Sequence, residues 1–228
     1  MKASFLLSIF SMVLISCSTH SVDSTIKTQS SSVELVSSES THQPSLSKPT
    51  ASAQTSYQVS KTLTISATGI GSARLEMTLG QLKQALGENA KFQVVSPFIV
   101  DFDAIAVNQS GKVQYYIIYP AGTTLAETDP IELLLTENPN FRTAEGVGPG
   151  IPLKQAEAVY GDATLYYNTQ NESREQVKFA NQPAQNLFFQ PTAPEQEFAG
   201  IYQSPLAEYN ETKKFHETAS IRSVLVGR

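Results

Sequence analysis

The sequence has no tryptophan, one cysteine, three histidines and little charge: only 16% of its 228 residues are Asp, Glu, Lys or Arg. Each scarcity excludes something. A lone cysteine, Cys17, leaves no partner for an internal disulfide. His20 and His42 stand apart in a polar stretch and His216 stands alone, so no zinc-like ligand spacing exists and no metal or other cofactor is expected. A formal net charge of −5 without a Lys/Arg cluster gives no electrostatic footprint for nucleic acid. There is no Gly-x-Ser-x-Gly nucleophile elbow. Gly69-Ile-Gly71 and Gly146-Val-Gly148-Pro-Gly150 are glycine-rich, but neither a Lys-Ser/Thr pair nor a dinucleotide fingerprint follows them, so they read as turns.

What is present begins at the first residue. Met1-Lys2 forms a short positive region, and residues 3–15 form an apolar run broken only by small serines. The run is too short to cross a bilayer as a helix and reads as a signal peptide over residues 1–16. Leu14-Ile15-Ser16-Cys17 resembles the lipobox of bacterial lipoproteins. That resemblance implies a diacylglycerol thioether on Cys17, cleavage before it and an acylated new amine, so the expected first partner is a membrane. Two or more acyl chains meet the requirement for stable anchoring. Ser18, rather than Asp, follows the cysteine and points to the outer membrane, facing the periplasm.

From residue 18 to 60, twenty of 43 residues are Ser or Thr and none is Gly. Such a segment buries too little apolar surface to offset its ordering entropy. With Cys17 it is expected to be a disordered tether, spanning on the order of 35–40 Å root-mean-square as a flexible coil.

The remainder is expected to contain a duplication, over residues 61–140 and 141–228. Leu79-Gly-Gln81-Leu82-Lys-Gln-Ala85-Leu86-Gly87 matches Leu153-Lys-Gln155-Ala156-Glu-Ala-Val159-Tyr160-Gly161. Asn108-Gln109 then corresponds to Asn181-Gln182, and Pro120 to Pro191, so first Leu and last Pro are 41 residues apart in one copy and 38 in the other. Each copy should open with a short helix: Thr78 is a natural N-cap, Pro152 fits a helix start, and Gly87 and Gly161 are stops. Leu79, Leu82 and Leu86 share one face, as do Leu153, Ala156 and Tyr160, while Lys83 and Glu157 face outward. Strands are predicted at 91–97, 100–107 and 113–119, at 164–168, 176–180 and 186–190, and additionally at 62–67, 131–136 and 221–226. The fold class expected is therefore α+β: two tandem repeats, each a short helix followed by an antiparallel β-meander, with the helices on one sheet face.

Glu76-Met77-Thr78-Leu79 with Leu86-Gly87, and Gly150-Ile151-Pro152-Leu153 with Tyr160-Gly161, resemble two groups. These are the BamE (SmpA/OmlA) type of envelope lipoprotein and the tandem-repeat β-lactamase inhibitor protein. The resemblance covers residues 75–190 and implies a helix-plus-meander fold and a binding rather than catalytic role. It carries over no site residue, because these motifs shape a helix and do no chemistry.

Asp101 and Asp103 stand at i, i+2 on a predicted strand and so share a face. A carboxylate pair can hold a cation or divide acid and base roles. Alternation puts Tyr115, Ile117 and Tyr119 on one face of a strand and Tyr116 and Ile118 on the other. Asp101, Asp103 and Tyr116 are thus the candidate binding surface; no catalytic residue is assigned. The leading expectation is a non-enzymatic envelope lipoprotein that binds a protein or peptide. The alternative is an envelope hydrolase or small-ligand or cation binder using Asp101 and Asp103, with His216 as a conceivable base.

Overall fold

The computed structural model describes residues 63–203 and 207–228. Cys17, the leader and the Ser/Thr-rich stretch lie outside the described residues. Helix α1 runs Leu79–Leu86. Thr78 Oγ1 accepts the Gln81 N–H at 3.2 Å and Gln81 Oε1 accepts the Thr78 N–H at 2.8 Å, a reciprocal capping box that satisfies two first-turn donors. Helix α2, Leu153–Tyr160, starts directly after Pro152 and stops at Gly161, as α1 stops at Gly87. Eight-residue helices do not persist alone, so both depend on what they bury: Leu79 and Leu82 from α1, Leu153, Ala156 and Tyr160 from α2.

The strands hold the fold together. β1 (Ile65–Ser66), β2 (Gly69–Ile70) and β3 (Ala73–Arg74) make a small three-stranded sheet. The other strands are β4 (Ala90–Ile99), β5 (Phe102–Gln109), β6 (Lys112–Pro120), β7 (Leu133–Thr136), β8 (Ala163–Asn168), β9 (Gln176–Phe179), β10 (Leu187–Thr192), β11 (Tyr209–Thr212) and β12 (Ser220–Gly227). These nine form one antiparallel sheet in the order β11-β8-β9-β10-β12-β7-β6-β5-β4. β12 lies at its middle, with Leu225 opposite Leu135 of β7 on one side and Phe188 of β10 on the other.

This corrects the expected fold class. Among the described residues the protein is mostly β, 44% strand against 14% helix, with two short α-helices. It is not an α+β chain of helix-plus-meander repeats. The reason is pairing at long range. β7 and β12 have no place in a unit of one helix and three strands. They pair with each other and fuse the strands of both segments into one sheet, so neither segment closes on itself. Landmark spacing along the chain carries no information about such pairing.

The main core lies between the helices and one sheet face, with Ile105, Val107, Tyr115, Ile117, Leu165, Phe179, Phe189 and Val224 among its buried residues. Burying each such side chain stabilises by about 1.5–3 kcal/mol. Tyr160 sits within it, its ring 5.9 Å from Phe179 and 6.2 Å from Phe189. Its hydroxyl lies 2.5 Å from Thr143 Oγ1 and donates to Glu145 Oε2 at 2.7 Å. Burial alone would raise the Glu145 pKa, but the bonds from Tyr160, its own backbone and Thr143 hold it below the ordinary carboxylate value. A depressed acid stabilises the fold above its unfolded pKa, and that contribution is lost as pH falls through the folded one.

Candidate functional site

The second face of the sheet is apolar, and among the described residues no helix covers it. Alternation places Tyr115, Ile117 and Tyr119 in the main core and Tyr116 and Ile118 on the opposite face. There Ala104, Ile118 and Leu135 form a separate buried cluster, with Phe98, Phe102, Tyr116, Leu133 and Leu225 packed against it. The register builds this surface as a row across strands: Tyr116 of β6 faces Leu135 of β7, which faces Leu225 of β12, which faces Phe188 of β10. Three strand spacings of ~4.8 Å make that row ~14 Å long.

Over the Leu135, Leu225 and Phe188 part of this row lies a groove of about 800 Å³. That volume falls within the range of ligand-binding clefts, roughly 300–1,000 Å³. Its apolar walls include Phe98, Ile118, Leu133, Leu135, Phe188 and Leu225. The end of β4 and the β4–β5 turn form one side: Phe98 packs against Tyr116 with ring centroids 4.7 Å apart, and Val100 in the turn stands 71% exposed at the rim. The β8–β9 connection forms the other, where Arg174 Nη2 donates to Asn171 Oδ1 at 2.6 Å. Arg174 also faces Asp101 Oδ2 at 3.7 Å and Glu172 Oε2 at 3.5 Å. The Asp101–Arg174 contact therefore joins the two sides. With Asp101 largely exposed it contributes at most about 1 kcal/mol.

The rim is rich in arginine. Arg174, Arg222 and Arg228 line the groove against two acids, Glu137 and Glu172. Arg222 Nη2 donates to Gln190 Oε1 at 3.2 Å and has no carboxylate partner among the described residues. Arg228 meets only an exposed Glu76 at 3.7 Å among them.

The sequence-predicted residues separate. Asp101 lies in the β4–β5 turn beside the groove, not on a strand. Asp103 is buried, and its Oδ2 accepts the Gly122 N–H at 3.1 Å, tying down the turn after β6. The two carboxylates hold different partners and do not form a paired acid site. His216 sits between β11 and β12, its backbone bonded to Ala199 and Ala219, with no contact to either aspartate among the described residues. Tyr116 belongs to the second face; burial, then Glu137, pushes its pKa up. No cluster of three potential metal ligands occurs among the described residues.

Sequence reasoning missed Phe98, Leu133, Leu135, Leu225 and the three arginines; Phe188 stands out in the sequence only as one of a set of aromatic residues that pack the core or form an exposed patch. A signal was available. Leu133-Leu-Leu135 and Ala104-Ile-Ala-Val107 are apolar at both parities, the pattern of strands covered on both faces. One face is covered by the helices, and the other carries the groove.

No family model matches the chain, and no curated protein matches it. Among solved structures, the uncharacterized protein yfeY from Escherichia coli aligns at a TM-score of 0.45 and 13% identity, covering 72% of this chain and 99% of that one. At that similarity it carries no weight for fold or function.

Proposed function

We propose that the protein is a lipid-anchored lipoprotein of the bacterial envelope, outer membrane by its Ser18, which binds an apolar, carboxylate-bearing segment of a partner protein without catalysis. The apolar groove with its arginine rim is the observation that carries the reading. Exposed contiguous apolar surface rimmed by polar groups marks interaction sites. Arg222, without a carboxylate partner among the described residues, supplies a donor pair that an acidic residue would complete. That Asp101 and Asp103 hold different partners supports this reading over a hydrolase or cation site built on the pair.

A photo-crosslinking residue at Phe188, in the full chain in its native envelope, is expected to trap a defined protein. The same residue at Val159, exposed on α2, is expected to trap none. Leu225→Asp should abolish the Phe188 adduct and Arg222→Ala weaken it. Equal trapping from Phe188 and Val159, or an adduct indifferent to Leu225→Asp, would overturn the groove as the binding site. The address is tested separately. Cys17→Ala should abolish metabolic labelling with palmitate and release the protein from the detergent-soluble membrane fraction; wild-type labelling and fractionation would refute the anchor.

A further inference from the structure

The large sheet has two ends, and they differ. β11 is four residues long and carries Glu211. β4 is ten residues long, with one charge, Lys91. No hydrogen bond joins residues 91–99 to anything but β5 among the described residues. Alternate N–H and C=O groups of β4 therefore point outward, away from the sheet. An open edge of this kind is a template for another strand, and natural sheets blunt it with charge, proline, bulges or a cover. In β4 those devices are Lys91 near the start and two others at the far end. Pro97, which has no N–H, and the register shift between Val95 and Ile99 both lie at its C-terminal end. Residues 90–95 run in unbroken register against β5, from Ala90 opposite Gln109 to Val95 opposite Ala104.

We propose that residues 90–96 form a dimerisation edge, at which two copies of this chain pair β4 with β4, antiparallel about a two-fold axis at Gln93. The open groups are backbone groups, so the occupant is a strand. The side chains favour the same segment of a second copy. A two-fold axis at Gln93 sets Phe92 of each chain opposite Val94 of the other, and Val94 is 62% exposed in the single chain. Aromatic and β-branched residues make stabilising cross-strand pairs. Lys91 falls opposite Val95, so the lone charges of the two chains do not oppose each other. Gln93 meets Gln93, whose side-chain amides can both donate and accept. The pairing stops at Ser96, where the next residue, Pro97, has no donor to give. The two sheets become one continuous sheet across the axis, and the groove stays open on its face.

Cysteine placement tests this in the full chain, in its native envelope, where Cys17 is the only native cysteine. Directly opposed residues of an antiparallel pair bring their Cβ atoms within reach of a disulfide. Under mild oxidation Gln93→Cys should give a homodimer on a non-reducing gel, several-fold above wild type and above Tyr209→Cys on the opposite edge. Adding Val94→Lys should remove that band. Phe92→Cys and Val94→Cys cover a shift of the axis by one residue. Monomer at all three positions, an adduct with a different protein, or dimer formed equally by Tyr209→Cys would overturn the proposal. Gln93 and Val94 are exposed on an edge strand, so their variants fold; Phe92 packs partly on the main core, and Phe92→Cys is read only where its thermal unfolding matches wild type.

Discussion

Ala156→Asp is expected to abolish cooperative unfolding altogether. Ala156 has 0% of its surface exposed and lies between α2 and the sheet, in the main core. A carboxylate there has neither partner nor water, and an uncompensated buried charge costs several kcal/mol out of a total stability of about 5–15 kcal/mol. Leu82→Ala, at the corresponding depth on α1, should cost about 2–5 kcal/mol for the lost methyl groups and the space they leave. Two outward positions calibrate the scale. Lys83 is paired with Glu127 at 2.9 Å, with both side chains partly exposed, so Lys83→Ala should cost no more than about 1 kcal/mol. Glu157 is not idle: its Oε1 accepts the Ala163 N–H at 3.0 Å, and Glu157→Ala should cost about 1 kcal/mol. Urea melts of the four variants decide the matter. Equal small losses at all four would show that the helices do not seat in the core.

Gly148→Ala should be the second severe change. A Cβ on Gly148 would stand 2.2 Å from the Phe141 carbonyl oxygen, which belongs to the backbone and cannot swing away. Phe141 is itself fixed, buried and edge-on to Tyr115 at 6.3 Å. The intervening loop is tied by Thr143 N–H to Val147 C=O at 2.8 Å and Gly146 N–H to Thr143 C=O at 3.0 Å. With no slack, the overlap should cost about 3 kcal/mol or more. Gly146→Ala is the control. Its φ of +88° strains any side chain, but nothing lies within 4 Å of the added carbon. About 1–2 kcal/mol is expected there. Thermal denaturation of both variants distinguishes overlap from conformational strain; a Gly148→Ala variant as stable as wild type would mean the loop can move apart.

Local features were legible and global ones were not. Thr78, Gly87, Pro152 and Gly161 are punctuation whose effect is complete within a turn of helix, and both helices fall where they put them. The break between the strands predicted at 100–107 and 113–119 is equally local: a hairpin through Ser110 and Gly111 fills it, with Gln109 paired to Lys112. Strand alternation correctly separated Tyr115 from Tyr116, because the side-chain period of a strand does not depend on what covers it. The partners of β7 and β12 are set by residues some ninety positions apart, as Leu135 and Leu225 show, and no periodicity reveals them. The groove failed for the same reason: its floor is a row across strands, invisible until the strands are ordered. The aspartates misled because i, i+2 spacing presumes a strand at both positions, whereas Asp101 lies in a turn.

The place of β12 has a consequence for the order in which the molecule can be made. β12 follows β4–β11 in sequence, yet it fills the centre of the sheet between β7 and β10. As the chain emerges on the side where it folds, N-terminal end first, β4–β7 can assemble early, but β7 then presents a bare flank until residues 220–227 follow. Strand pairs so distant in sequence form slowly, and an unfilled flank is where a nascent chain aggregates or is captured by a chaperone. Losing residues 220–227 would not fray an end; it would open the sheet along its middle and create two new edges at once. Among the described strands, the two halves of the sheet are joined only through β12.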